Sequence, residues 1–246
     1  MKAIALIPSR LESKRLPGKA LLDIDGLPIV VHTAKRAQLS KNISEVYVCT
    51  DSDQIINECK KHQIETIKTE SHFVNGTERI ASIAHNFNDS IIVDVQGDEP
   101  LINPKYIDKL VDAHLNHSEN PEVIIPTIEV PYNSNETIVR VISASSGRVM
   151  YLSRGNIPYS YKTKISLVSK HVSVISFTSK ALKKYSSFNP SSLETIEDIE
   201  LLRALENDMR VFSIKLAGKS FSVDVDDDYL KSKIAMLSDP VRKLYE

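Results

Sequence analysis

The chain has no tryptophan, two cysteines, only seven glycines in 246 residues, and no apolar run of membrane-spanning length. Each scarcity excludes something. A membrane helix needs about 18 or more consecutive apolar residues. The run Ala3-Ile4-Ala5-Leu6-Ile7 after Lys2 stops at Pro8, too short for the apolar region of a signal peptide. Cys49 and Cys59 fit no C-x-x-C or zinc-ligand spacing, and a disulfide-built secreted scaffold carries more thiols. A reduced, cytoplasmic setting is expected. Net charge is lacking too, with 31 Lys plus Arg against 32 Asp plus Glu. Dedicated nucleic-acid or membrane-surface binders usually have a basic excess that recruits phosphates, so neither nucleic acid nor membrane is expected as a partner.

What is present is an alternation of two periods. Residues 3–7 read as a strand buried on both faces, as do 46–49 and 91–95, with a weaker run at 65–68. Between them, 28–39 opens on Pro28, 52–61 follows Asp51 as a helix N-cap, and 77–87 carries the stripe Ile80, Ile83, Ala84 and Phe87. Strands alternating with helices imply an α/β fold, a mostly parallel central sheet flanked by helices. The second half is mixed and strand-rich. Residues 139–143 and 149–153 flank a turn at Ser145-Ser146-Gly147, and 171–177 and 210–216 read as further strands. Residues 193–207 read as one helix and 229–237 as a closing one. No repeat or linker interrupts the chain, so 1–246 is expected to be a single domain.

Three clusters carry candidate chemistry. The loop from Pro8 to Lys19 holds Arg10, Lys14, Arg15 and Lys19 against Glu12 alone. Backbone N–H groups near Ser9 and Gly18, with Arg10 and Lys19, suit a polyphosphate, although the loop is neither a Walker motif nor a dinucleotide fingerprint. Asp94-Val95-Gln96-Gly97-Asp98-Glu99-Pro100 ends a strand and suits Mg²⁺, which takes one or two carboxylates plus substrate phosphates. Asp224 follows a strand-like segment, whereas Asp226, Asp227 and Asp228 are expected to cap and solvate the last helix. His114 and His117, spaced for one helix face, lack companion ligands and read as a solvated helix end.

Taken in order, Ile7-Pro8-Ser9-Arg10, Arg15-Leu16-Pro17-Gly18-Lys19, Asn75-Gly76-Thr77-Glu78-Arg79 and Val95-Gln96-Gly97-Asp98-Glu99-Pro100-Leu101-Ile102 resemble the CMP-Kdo synthetases (3-deoxy-manno-octulosonate cytidylyltransferases). The likeness continues through Tyr151-Leu152-Ser153-Arg154, the His171 strand, Leu193-Glu194 and Val223-Asp224. It implies a Rossmann-like sugar-nucleotide transferase fold in a homodimer. Residues 1–120 would bind CTP, and 121–246 would bind the sugar acid and dimerise. The implied reaction couples CTP to the anomeric hydroxyl of a 2-keto-3-deoxy sugar acid with Mg²⁺, for lipopolysaccharide or capsule.

Carried over by position, Arg10, Lys19 and Asp98 would be catalytic, and Asp98 and Asp224 would hold the metal. Pro8, Ser9, Arg10, Lys19, Asn75, Gly76, Arg79 and Gln96 would bind the nucleotide, and Arg154, His171 and Glu200 the acid. Two positions depart from the family pattern: Ile175 replaces a Tyr and Leu201 a Gln. Each removes a hydrogen-bonding group, which points to a Kdo variant such as 8-amino-Kdo, with Kdo itself retained if other side chains compensate. Two readings stay open beside it. One is a related nucleotidyltransferase for another acid, such as a phosphonate, or a sugar 1-phosphate. The other is a catalytically silent nucleotide-binding homologue.

Overall fold

The computed structural model describes residues 1–13, 15–132, 136–219 and 221–245. Lys14, one cation of the basic loop, lies outside the described residues.

Alternate residues of β1 (Lys2–Pro8) face different cores. Ala3, Ala5 and Ile7 enter one apolar cluster, Ile4 and Leu6 the other, which is why the run is apolar throughout rather than alternating. A short hairpin of β2 (Asp23–Ile24) and β3 (Leu27–Pro28) leads into α1 (Ile29–Gln38). Next come β4 (Glu45–Thr50), α2 (Asp53–Lys61), β5 (Thr66–Lys68), α3 (Gly76–Ser82) and β6 (Ser90–Val95). β4 and β6 flank β1 in parallel and β5 extends β4, giving the expected βαβ core. Ser52, not Asp51, caps α2, its hydroxyl accepting from Ile55 N–H. The expected helix over 77–87 ends as α3 at Ser82 and continues only as a 3-10 turn, Ala84–Asn86.

The second half contains α4 (Pro104–Asn116), β7 (Val123–Pro131), β8 (Arg140–Ser143), β9 (Val149–Ser153), β10 (Leu167–His171), β11 (Val174–Thr178) and α5 (Ser179–Ser186). Then follow α6 (Ser192–Glu197), α7 (Leu201–Glu206), β12 (Val211–Lys215) and α8 (Asp226–Met236). The ten-stranded sheet runs β5-β4-β1-β6-β11-β7-β10-β8-β9, with β12 parallel to β7. β11 joins the halves by pairing antiparallel with both β6 and β7. The cluster containing Val31, Ile55 and Leu110 from α1, α2 and α4 covers one face, and that containing Ile80, Leu182 and Leu202 from α3, α5 and α7 covers the other.

Three further sequence expectations need correction. The strand expected over 171–177 is two strands, broken at Val172-Ser173 where one partner changes from β8 to β6 while β7 pairs with both pieces. The helix expected over 193–207 breaks at Asp198, whose φ of 52° is left-handed. Arg154 satisfies the carbonyls exposed by that break, donating to Glu197 O at 2.8 Å and Asp198 O at 3.0 Å. His114 is buried rather than solvated, with Nδ1 2.8 Å from Ser176 Oγ and Nε2 3.1 Å from Pro121 O. Cys49 and Cys59 are free, buried thiols in opposite cores. Among the described residues no helix is long and apolar enough to cross a membrane.

Candidate active site

A cleft of about 1160 Å³ opens where β1 and β6 end, the carboxyl edge at which parallel sheets hold ligands. Two glycines let three segments meet there. A Cβ at Gly97 would stand 2.8 Å from Pro8 O, and one at Gly76 would stand 2.9 Å from Pro8 Cγ and 3.0 Å from the Gln96 amide. Asn75 caps α3, its side chain accepting from Glu78 N–H at 2.8 Å, so the turn before that helix faces the cleft.

One wall is electrostatic. Lys19 Nζ donates to Asp98 Oδ2 at 2.6 Å and to Asp224 Oδ1 at 3.3 Å, and Arg15 donates to Asp224 Oδ1 at 2.8 Å. Val223 N–H, donating to Asp98 O at 2.9 Å, fastens the segment that carries Asp224 beside the β6 turn. Carboxylates 126 residues apart in sequence (224 minus 98) thus converge on one ammonium, a cation standing between the two side chains expected to hold a metal. Two carboxylates open to a cleft suit Mg²⁺ when phosphates and water complete its shell. Arg10 is exposed on the same cleft with no ion pair among the described residues.

The opposite wall is held by hydrogen bonds. Arg79 is nearly buried, pairing with Asp51 at 2.9 Å and donating to Thr69 Oγ1 at 2.6 Å and Glu70 O at 3.0 Å. Arg154 lines the cleft while its guanidinium serves the carbonyls of Glu197, Asp198 and Glu136. His171 also lines it, and burial lowers its pKa to about 4, leaving a neutral imidazole at physiological pH. Behind the wall, Asp94 is pushed above the carboxylate range by burial and then by the Glu200 charge, and burial raises Glu200 to about 6. Glu99 rises to about 8 through burial and the neighbouring Asp98; Ser173 and the Phe221 backbone approach it without reaching hydrogen-bond geometry.

Residues 4–211 match the cytidylyltransferase family model. The chain belongs to the cytidylyltransferase family. It is 34% identical over 238 residues to a 3-deoxy-manno-octulosonate cytidylyltransferase of Chloroherpeton thalassium, covering 95% of this chain and 97% of that protein. A protein of the same name from Geobacter sulfurreducens is 34% identical, with 94% and 98% covered. Among solved structures, a CMP:2-keto-3-deoxy-manno-octonic acid synthetase complexed with CTP superposes with a TM-score of 0.90 at 27% identity, covering 96% of this chain and 99% of that one.

Within this cytidylyltransferase cleft lie Pro8, Ser9, Arg10, Lys19, Asn75, Gly76, Arg79, Gln96, Asp98, Arg154, His171 and Asp224. Glu200 is not on its surface. It sits one layer back, accepting from Thr77 N–H at 3.4 Å. Ile175 and Leu201 correct the reading of the acid half. Each is 2% exposed and packs with Phe177, Leu182 and Ile199 in the core, so neither removes a hydrogen bond from the cleft. Asp228 caps the last helix as expected, accepting from Asp224 and Val225 N–H, but it and Asp227 also line the cleft, as does Lys231. Asp227 and Asp228 stand four and three residues before Lys231 on that helix, a spacing that puts them on one face and is the legible signal. Phe73, Lys170 and Phe221 also line it, each one to three residues before a motif residue.

Proposed function

We propose that this chain transfers CMP from CTP to the anomeric hydroxyl of 3-deoxy-manno-octulosonate, forming the sugar O–Pα bond, breaking the Pα–O bond to the β-phosphate and releasing pyrophosphate. The observation that carries this reading is the convergence of Lys19, Asp98 and Asp224 in a family whose relatives bear that name. Kdo itself is the acid of choice, because the two substitutions that pointed to a variant lie in the core.

The chemistry asks mainly for alignment and charge stabilisation. Arg10 and Lys19 hold the triphosphate, Lys19 exchanging its carboxylates for phosphate oxygens. Asp98 and Asp224 are the residues that would hold Mg²⁺. When bound, the metal neutralises phosphoryl charge and lowers the pKa of the attacking hydroxyl. Pro8, Ser9, Asn75, Gly76, Arg79 and Gln96 contact cytidine. On the acid side Arg154 and His171 face the sugar, the neutral imidazole able to accept from a hydroxyl, and Glu200 supports α3 from behind. Residues 1–120 thus supply most of the nucleotide site and 121–246 the acid site, with Asp224 crossing between them.

A homodimer completes the proposal. A hollow of about 610 Å³ beside β8 and β10 is lined by Ile157, Ile165 and Leu167, and Met150, Tyr159 and Tyr161 are exposed nearby. Light scattering is expected to give twice 27.6 kDa. The free, buried thiols suit the cytoplasm, and the product would feed lipopolysaccharide assembly. The deciding experiment is pyrophosphate release from CTP with Kdo, 8-amino-Kdo, a sugar 1-phosphate or no acceptor, each with and without Mg²⁺. Release with Kdo and Mg²⁺ is expected; silence with every acid would overturn the reading.

A further inference from the structure

Asp94 lies at the centre of the sheet, its backbone opposite Leu6 on one side and Ile175 on the other, and it is 0% exposed. A carboxyl group there costs several kcal/mol, on the order given by transfer data, unless its oxygens are hydrogen-bonded. Both are. Gln96 Nε2 lies 3.1 Å from Oδ1 and 3.2 Å from Oδ2, and Thr77 Oγ1 lies 3.1 Å from Oδ2.

This arrangement decides which way the Gln96 amide faces. Its NH₂ end is the donor that reaches both carboxyl oxygens, at 3.1 and 3.2 Å; in the reverse orientation the single acid proton of Asp94 could serve only one of these contacts and the other would set oxygen against oxygen. Gly76 closes one side, since even a Cβ there would come within 3.0 Å of both Nε2 and Oε1. Gln96 lines the cleft beside Pro8, Gly76 and Arg79, and among the described residues its Oε1 has no hydrogen-bond partner. We propose that Asp94 is a positioning residue: out of reach of any substrate, it holds the Gln96 amide so that Oε1 faces the cleft and accepts a hydrogen bond from an N–H or O–H of cytidine. The assignment rests on the nucleotide reading of this cleft and adds to it the residue that sets the direction of the bond.

Exchanging donor and acceptor tests it. Gln96→Glu leaves a carboxylate facing Asp94 and is expected to weaken CTP binding, measured calorimetrically, about tenfold. In the double variant Asp94→Asn with Gln96→Glu the donor sits on residue 94 and the acceptor on 96, and affinity is expected to return to within about threefold of wild type. The substitutions are near-isosteric, so thermal unfolding should show the fold retained. Gln96→Glu binding CTP like wild type, or a double variant no better than the single, would overturn the proposal. UTP and 2′-deoxy-CTP name the donor: the penalty disappears with whichever analogue lacks it. Because the readout is nucleotide binding, it stands even if turnover with Kdo fails, and that failure would count against the acid and not against Asp94.

Discussion

The two sides of the cleft are built differently. The side proposed for the nucleotide is made by backbone: strand ends and a helix start brought together at Gly76 and Gly97, with Lys19 and Arg10 reaching in on flexible stems. The side proposed for the acid is made by side chains already engaged with the protein, Arg154 bridging three carbonyls and Glu200 sitting behind Thr77. A site built on backbone keeps a short local motif, because each residue acts where the chain puts it. A site built on networks spreads over distant segments, and one substitution in it changes fold and binding together.

The largest effect should come from the cations and carboxylates on the first side. Lys19→Met and Asp98→Asn are each expected to lower kcat/KM for pyrophosphate release on the order of 10²–10³-fold, with far-ultraviolet circular dichroism unchanged. A drop under fivefold would remove that side's claim to the chemistry. Next, Gly97→Ala should cost about 2 kcal/mol in denaturant unfolding, because the new methyl meets the Pro8 carbonyl rather than a side chain that can swing away. An unchanged midpoint would break the backbone account.

On the second side, Arg154→Ala should raise KM for the acid about tenfold and destabilise the fold by about 2 kcal/mol. Arg154→Lys should do no better, since one ammonium cannot span three carbonyls. Full rescue by Lys would make Arg154 a simple point charge.

Glu99 sharpens the contrast through pH. Its folded pKa of about 8 lies above the ordinary value of 4.5, so the native state binds the extra proton. Its stabilising effect is complete below pH 4.5 and is lost as pH rises towards 8. His32, His114 and His171, lowered by burial to about 4, act oppositely: native stability falls as pH drops below 6.5, where the unfolded imidazoles protonate. From pH 6.5 to 8 the imidazoles are silent and the raised carboxyls, Glu99 and Asp94, are left, so a variant at Glu99 separates its share. Glu99→Gln should flatten the decline in Tm there by about 5 °C; parallel curves for variant and wild type would refute it. Smallest on activity is Ile175→Tyr. It should cost about 1–3 kcal/mol of stability by overpacking the core and leave KM for Kdo unchanged. A shifted acid preference would return this position to the site.

Much of the first side was legible because its signals are local. An apolar run ending in Pro-Ser-Arg marks β1 and its loop, and Gln-Gly-Asp at the end of β6 marks the second strand edge. The second side was less legible for an equally physical reason. Helical periodicity in 193–207 gave no hint of the break at Asp198, since the group that captures the freed carbonyls, Arg154, lies more than forty residues earlier. Ile175 and Leu201, aligned with polar residues, suggested a changed pocket when both are core.

The sequence by itself determined the strands and helices of the parallel half, the basic loop and the acidic turn, because hydrophobic period and chain-reversing residues act over a few positions. Only the tertiary structure decided that Lys19 lies between Asp98 and Asp224, that Asp94 faces Gln96 and Thr77, and that Ile175 points into the core. Those relations depend on strand order and on which face each side chain takes, and both are set by packing between segments far apart in the chain.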